Sequence, residues 1–406
     1  MSIAQLIALS EETVELHSTL INHDPALKSV YGIQAKSCLY RLPGFNPLRC
    51  LPPDVMHDIL ECFMPTHVRE LILALHRSKV VPFQTLRQAL SKFKYGKTDS
   101  ANKFPGFPDD WMEKKRRGLG GTAAEKWNFF RLFPFIVGHR VPEENENWKL
   151  FKIALRIGEI VLAIKVSDQM IAELANLIEE HHKLWVELYP HTFPAKFHYL
   201  VHYPHLIRDF GPLRLLWCMR FESFHQILKT VLARARNFIN TTKTASHRVQ
   251  KSKCLEFADA LGLPSLVKIN GARKTIMLKN VCPPQAKEGL KRALNASDET
   301  FLDVVTSACG GYTIHKGAYF LIHLYCDVLP VFFKTEKIFI YGDTVALYGF
   351  LVGTDHFNDH LQAYAVAVAD AEDNTVILTK DIVSPQALDE YEIEGVRYLR
   401  YRYRPM

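Results

Sequence analysis

PAKFHYLVHYPHLIRDFGPLRLLWCMRFESFHQILKTVLARARN (Pro194–Asn237) is the stretch from which the rest of the chain is read. It turns at Gly211-Pro212. From Phe221 to about Ala235 it runs at helical spacing, with Lys229, Arg234 and Arg236 on or near one face. Glu222 opens that basic helix. Residues 192–253 hold eleven Lys/Arg against two Asp/Glu, Asp209 and Glu222. A carboxylate in so basic a setting has two physical explanations. It pairs with Arg220 or a neighbouring cation, or it holds a metal ion that meets a phosphate chain. On pattern alone, ion pairing is the commoner case.

Upstream, His198 and His202 stand one helical turn apart, a legitimate spacing for metal ligands. The segment lacks the glutamate of a zinc protease motif, and Pro204 limits any longer helix. Buried histidines bonded to backbone or carboxylates are the expectation. Downstream, Lys243, Arg248, Lys251 and Lys253 extend the basic run. With Arg220, Lys229, Arg234 and Arg236 they make the best phosphate-facing surface in the sequence. His181-His182 reads as surface.

Working back toward the N-terminus, Trp148–Leu188 gives two amphipathic helices divided at Val166-Ser167-Asp168, with Ser167 or Asp168 as cap. Thr122–Val137 and Pro82–Tyr95 read as helices. Residues 96–121 read as a surface excursion whose Lys114–Arg117 cluster is solvated. A further helix begins at Val55 behind an Asp54 cap, with Asp58 and Glu61 in its acidic first turns. Pro65 is expected to break it. Residues 1–30 read as a helix ending near Asp24-Pro25.

Beyond about residue 260 the pattern changes. Pro264, Gly271, Pro283 and Pro284 suggest a linker, and Gln285–Leu294 and Asp298–Ala308 two short helices. From Tyr312 onward β-branched and aromatic residues alternate with period two, which predicts a small antiparallel barrel or sheet. The terminal RYLRYRYRP reads as an edge strand guarded by charge, or as a nucleic-acid contact. The fold class is therefore α+β: a mainly helical body over 1–260, then a β-rich region over 261–406.

Composition sets limits. The chain has 406 residues, a formal net charge of +7 and eight cysteines with no C-x-x-C, so reduced thiols are expected rather than a zinc ribbon or redox pair. No signal peptide and no membrane span are expected, which points to a nuclear or cytoplasmic protein.

Two segments carry a family resemblance: LPPDVMHDILE (Leu51–Glu61) and the quoted stretch through Lys229, with EKWNFFRLFPFIVGHRVP (Glu125–Pro142) between them. Together they resemble the transposase core of the CACTA/EnSpm group of DNA transposons, most closely the animal transposon-derived copies. The resemblance covers roughly residues 25–255. It implies a DDE phosphoryl-transfer site on an RNase H-like core, with an all-α insertion over about 55–190. In that site two aspartates and a glutamate hold two divalent ions, Mg²⁺ or Mn²⁺, at a DNA phosphodiester. Asp54 matches the second aspartate and Glu222 the glutamate, both as metal ligands. His57, His198 and His202 match supporting motif histidines. Arg220, Lys229, Arg234, Arg236 and Lys243 would face DNA. The first aspartate has no match, because Asp24 precedes a proline at a helix end. The expectation is an N-terminally truncated, catalytically incomplete transposase derivative with residual DNA affinity. The alternatives are a non-enzymatic protein-binding scaffold, or a nuclease in which Asp58 or Glu61 replaces the missing aspartate.

Overall fold

The computed structural model describes residues 11–31, 34–35, 38–45, 50, 52–114, 118–236, 238–259, 267–309, 312–325, 328–367 and 374–405. The protein is α+β, about 51% helical and 21% strand, with antiparallel sheets and no closed barrel among the described residues. Contact density divides the chain into Met1–Asp54 and Val55–Met406.

In the first unit, the helix Glu11–His23 buries Val14, Ser18 and Ile21, spaced i, i+4, i+7 along one face. Asp24 ends it. Its carboxylate accepts the Ala26 N–H at 3.0 Å and caps the short turn Pro25–Leu27.

The second unit begins with one helix from Met56 to Arg77. Its first part, Met56–Phe63, is a π-helix that passes into the α-helix Met64–Arg77. The expected break at Pro65 does not occur. The wide turn bonds the Met64 N–H to the Ile59 carbonyl. Pro65 then falls in the first α turn, where its missing N–H costs nothing. Ile59, Leu60 and Phe63 point inward and are fully buried. They join a core built by the helices Ala123–Val137, Glu146–Val161 and Asp168–Leu188, including Phe129, Phe133, Trp148 and Trp185. Thr122 and Glu125 form a reciprocal capping box, and Ser167 caps the third helix through the Met170 N–H.

Residues 96–121 are not a surface excursion. Phe104, Phe107 and Trp111 are buried in the same core, with Phe104 stacked on Phe129 at 4.1 Å. Three large aromatics within eight residues gain more from burial than the glycines and prolines around them suggest. Lys114 pairs with Asp110, and Lys115, Arg116 and Arg117 lie outside the described residues.

The β-rich part also departs from expectation. The presumed linker contains the strand Arg273–Met277, and the presumed helix Asp298–Ala308 is the strand Phe301–Val305 followed by Ser307–Cys309. Arg273 to Met277 pairs residue by residue with Val305 to Phe301. Cross-strand pairing of β-branched residues overrides a helical spacing that short segments satisfy by chance. The main sheet runs in the order Asn374–Leu378, Thr344–Val352, Val328–Tyr341, Phe301–Val305, Arg273–Met277. Tyr319–Tyr325 also pairs with the long central strand.

A second sheet places Val396–Leu399 between Glu390–Ile393 and Ala363–Val366, so the terminal strand is internal rather than an edge. Its continuation crosses to the helical body. Arg400 bonds Glu159 at 2.8 Å, Arg402 bonds Asp99 at 2.8 Å and Arg404 bonds Glu173 at 2.6 Å. Tyr401 and Tyr403 are buried between them. The alternating basic and aromatic residues therefore fasten the sheet to the helices.

At the join, buried Asp99 receives Arg131, Arg402 and the Tyr391 hydroxyl. Burial pushes the Asp99 carboxyl up, yet the two guanidinium groups outweigh it and hold it at about 2.

Candidate functional site

The first turn of the helix at Val55 and the first turn of the helix Met219–Ala235 face one another. His57 projects from the former, on the side opposite Ile59 and Leu60. Glu222 projects from the latter, one turn after Cys218. His57 Nε2 lies 3.4 Å from Glu222 Oε1. Cys218 Sγ lies 3.5 Å from His57 Nδ1, 3.7 Å from Glu222 Oε1 and 3.2 Å from Met56 Sδ. Glu222 therefore pairs with His57, 165 positions away in sequence, rather than with Arg220. His57 and Glu222 are each about half exposed, 47% and 45%. Asp54 is half-buried three residues before His57 and closes the first unit of the chain.

The geometry has a simple chemical reading. A neutral imidazole donates through Nε2–H to the carboxylate and accepts the thiol proton at Nδ1. Alternatively, thiolate and carboxylate, 3.7 Å apart, are two donors of one ion, a separation that ligands of a tetrahedral Zn²⁺ with bonds of about 2.0–2.3 Å adopt. The imidazole faces the thiol with Nδ1 and the carboxylate with Nε2, so as placed it does not give one nitrogen to an ion between them. Soft sulfur suits Zn²⁺ better than Mg²⁺ or Mn²⁺, which prefer all-oxygen shells. Cys218 is the residue that sequence reasoning missed. Its spacing of four to Glu222 on a helix was the available signal.

The nearby acids are engaged elsewhere. Asp58 is buried, accepts the Tyr203 hydroxyl at 3.3 Å and has Lys196 Nζ at 3.6 Å. Glu61 pairs with Lys126. His198 and His202 are half-buried and face each other, Nε2 to Nε2 at 3.3 Å, on the 3₁₀ segment Ala195–His202. The expectation that they are buried and tied to backbone or carboxylates is corrected: the two rings meet edge to face, at 90° with centroids 4.9 Å apart. His205 takes the local carboxylate, Asp209, at 3.2 Å.

A second histidine cluster lies in the core. His181 and His182, expected at the surface, are buried, and so is His67. The Phe197 carbonyl accepts His182 Nε2–H at 2.9 Å. Neutral His182 is then bare at Nδ1 and accepts from His181 Nδ1–H at 3.1 Å. His181 in turn is bare at Nε2 and accepts from His67 Nε2–H at 2.6 Å. With His182 protonated at Nε2, the donors run in this one direction through all three rings. Burial pushes His67 down to about 3 and His181 well below its usual value, and nearby imidazoles add to this. Burial also lowers His182, opposed by the carbonyls of Phe197 and Ile178.

The basic residues singled out in the sequence lie on a helical hairpin, Met219–Ala235 against Thr241–Asp259. Arg236 makes the bend in the left-handed region, φ 48°, and the Asn240 side chain accepts the Lys243 N–H to start the second helix. No residue of Met219–Ala235 is buried. Among the described residues, no carboxylate pairs with Arg220, Lys229, Arg234, Arg236 or Lys243.

No helix among the described residues is long and apolar enough to cross a membrane. Comparison with known proteins finds no matching family model, no matching curated protein and no matching solved structure.

Proposed function

We propose that the chain is a transposase-derived nucleic-acid-binding protein that holds a divalent cation at Cys218 and Glu222, beside His57, and does not carry out strand transfer by itself. The observation that supports this reading is the 3.4 Å approach of His57 to Glu222. The P-P-D-x-M-H and R-F-E segments, the two that carry the resemblance, need to meet if they derive from one metal site. In this reading the helices at Val55 and Met219 descend from a partial RNase H-like core, and the helices between them are its insertion. Asp54, which precedes His57 by three residues, is the ligand the resemblance adds. One aspartate and one glutamate supply two of the three carboxylates such chemistry uses, too few to fix two ions. A bound cation would supply positive charge at a phosphate. The chain's own contribution is to place the thiol, imidazole and carboxylate together, beside a surface of unpaired cations.

Thermal unfolding of the purified chain with Zn²⁺, Mg²⁺ or Mn²⁺ tests the metal half. The expected result is stabilisation by Zn²⁺ above all, removed by Glu222→Gln and by Cys218→Ser. DNA binding against salt tests the other half. Converting Lys229, Arg234 and Arg236 to Ala flattens the slope of log affinity against log salt by about three phosphate contacts' worth. No metal stabilisation together with no DNA affinity would leave the protein-binding scaffold as the better account.

A further inference from the structure

The helical hairpin residues 219–259 combine a run of cations with strongly exposed aromatic rings. Several cations on the helical body are paired: Arg69 with Glu70, Lys126 with Glu61, Arg156 with Glu173 and Lys183 with Glu179. On the hairpin the five cations named above, together with Arg248 and Lys251, meet no carboxylate among the described residues. Most large aromatic rings of the helical body are buried, with Phe193 and Tyr199 exposed in part, whereas Phe221, Phe238 and Phe257 are 71%, 71% and 75% exposed. Phe224 and Ile227 are exposed beside them.

An anionic partner is required by the charge, and one with flat apolar faces by the rings. Two such partners are a nucleic acid and an anionic membrane surface. A helix that lies on a membrane gathers its apolar residues on one face and its cations on the other. Here they interleave. Arg220 adjoins Phe221, Arg236 and Phe238 share the bend, and Leu255 and Phe257, two positions apart, point to opposite sides of their helix. Duplex DNA would set exposed phenyl rings against phosphates, because its bases are stacked inside. A single strand presents base faces between its phosphates, and every base can stack on an aromatic ring.

Resting on the nucleic-acid reading above, we infer that the hairpin is a platform for single-stranded nucleic acid. The cations track the phosphates, and Phe221, Phe238 and Phe257 stack bases. Leucine in place of these three rings keeps an apolar side chain and removes the stacking face.

The test is fluorescence anisotropy of the full chain with a labelled 30-nucleotide oligothymidine and a labelled 30-base-pair duplex at equal salt. The expected result is tighter binding of the single strand. The variant Phe221→Leu/Phe238→Leu/Phe257→Leu should lose at least tenfold in affinity for oligothymidine and less than twofold for duplex. All three rings are exposed, so circular dichroism should show an unchanged fold. Equal or tighter duplex binding, or a Phe→Leu variant that still binds oligothymidine normally, overturns the inference and leaves the nucleic-acid reading standing. Absence of binding to both probes overturns the two together. Binding to phosphatidylserine vesicles but to neither oligonucleotide, lost in the Phe→Leu variant, overturns it in favour of a membrane.

Discussion

The buried histidine chain makes stability depend on pH in a direction and size that the structure fixes. His67 is neutral in the fold, where burial holds it near 3, and it titrates near 6.5 when exposed in the unfolded chain. Between those values the unfolded state binds the extra proton. Its contribution to stability is therefore complete above pH 6.5 and is lost as pH falls toward 3. For this one group the loss between pH 7.5 and pH 4.5 comes to about 3 kcal/mol. His181 moves in the same direction. Many carboxylates also titrate in this range, so the informative quantity is a difference. His67→Gln keeps an N–H donor for His181 Nε2 and removes the titration. The variant should cost little at pH 7.5, and its stability should fall by about 3 kcal/mol less than wild type on going to pH 4.5. Urea unfolding followed by tryptophan fluorescence is the assay, since Trp185 packs on His67 with ring centroids 4.8 Å apart. Parallel pH dependences in the two proteins would refute the reasoning, because they would mean His67 gains no proton on unfolding.

The join between helices and sheet gives a second test. Asp99→Asn leaves Arg131 and Arg402 without their shared carboxylate and should destabilise the fold by roughly 3–5 kcal/mol, measured by denaturant unfolding at neutral pH. With its carboxyl held at about 2, Asp99 contributes fully above about 3.8 and loses that contribution as pH falls toward 2. The gap between Asp99→Asn and wild type should therefore narrow in acid. In the main sheet, a Cβ at Gly349 would stand 1.9 Å from the Lys334 carbonyl oxygen. Gly349→Ala must separate the two strands there and should cost about 3 kcal/mol, seen as a lowered thermal midpoint. Gly353→Ala, in open space, serves as its control. In the first turn of the Ala123–Val137 helix, Thr122→Ala removes the capping box and should cost about 1 kcal/mol by the same assay.

Local rules alone place the helices Ala123–Val137, Glu146–Val161 and Asp168–Leu188 in the sequence, because each has apolar periodicity and a side-chain cap at its start, Thr122, Asn145 and Ser167. Period-two alternation likewise locates the strands from Tyr319 to Val352. The motif residues Asp54, His57 and Glu222 were legible through resemblance, and the basic run through charge. What tertiary structure decided is everything that depends on distant partners. Glu222 finds His57, 165 positions away, rather than Arg220, and Cys218 joins them, because two distant helix starts are held face to face by the core beneath them. His181 and His182 are core residues because His67 and the Phe197 carbonyl satisfy their ring nitrogens, which no local pattern records. The terminal arginines read as edge protection until Glu159, Asp99 and Glu173 appear opposite them. Phe301–Val305 is a strand because Arg273–Met277 lies beside it. Periodicity reports which face of a segment is apolar. Where the partner of a polar or charged side chain lies far along the chain, only the folded arrangement supplies it.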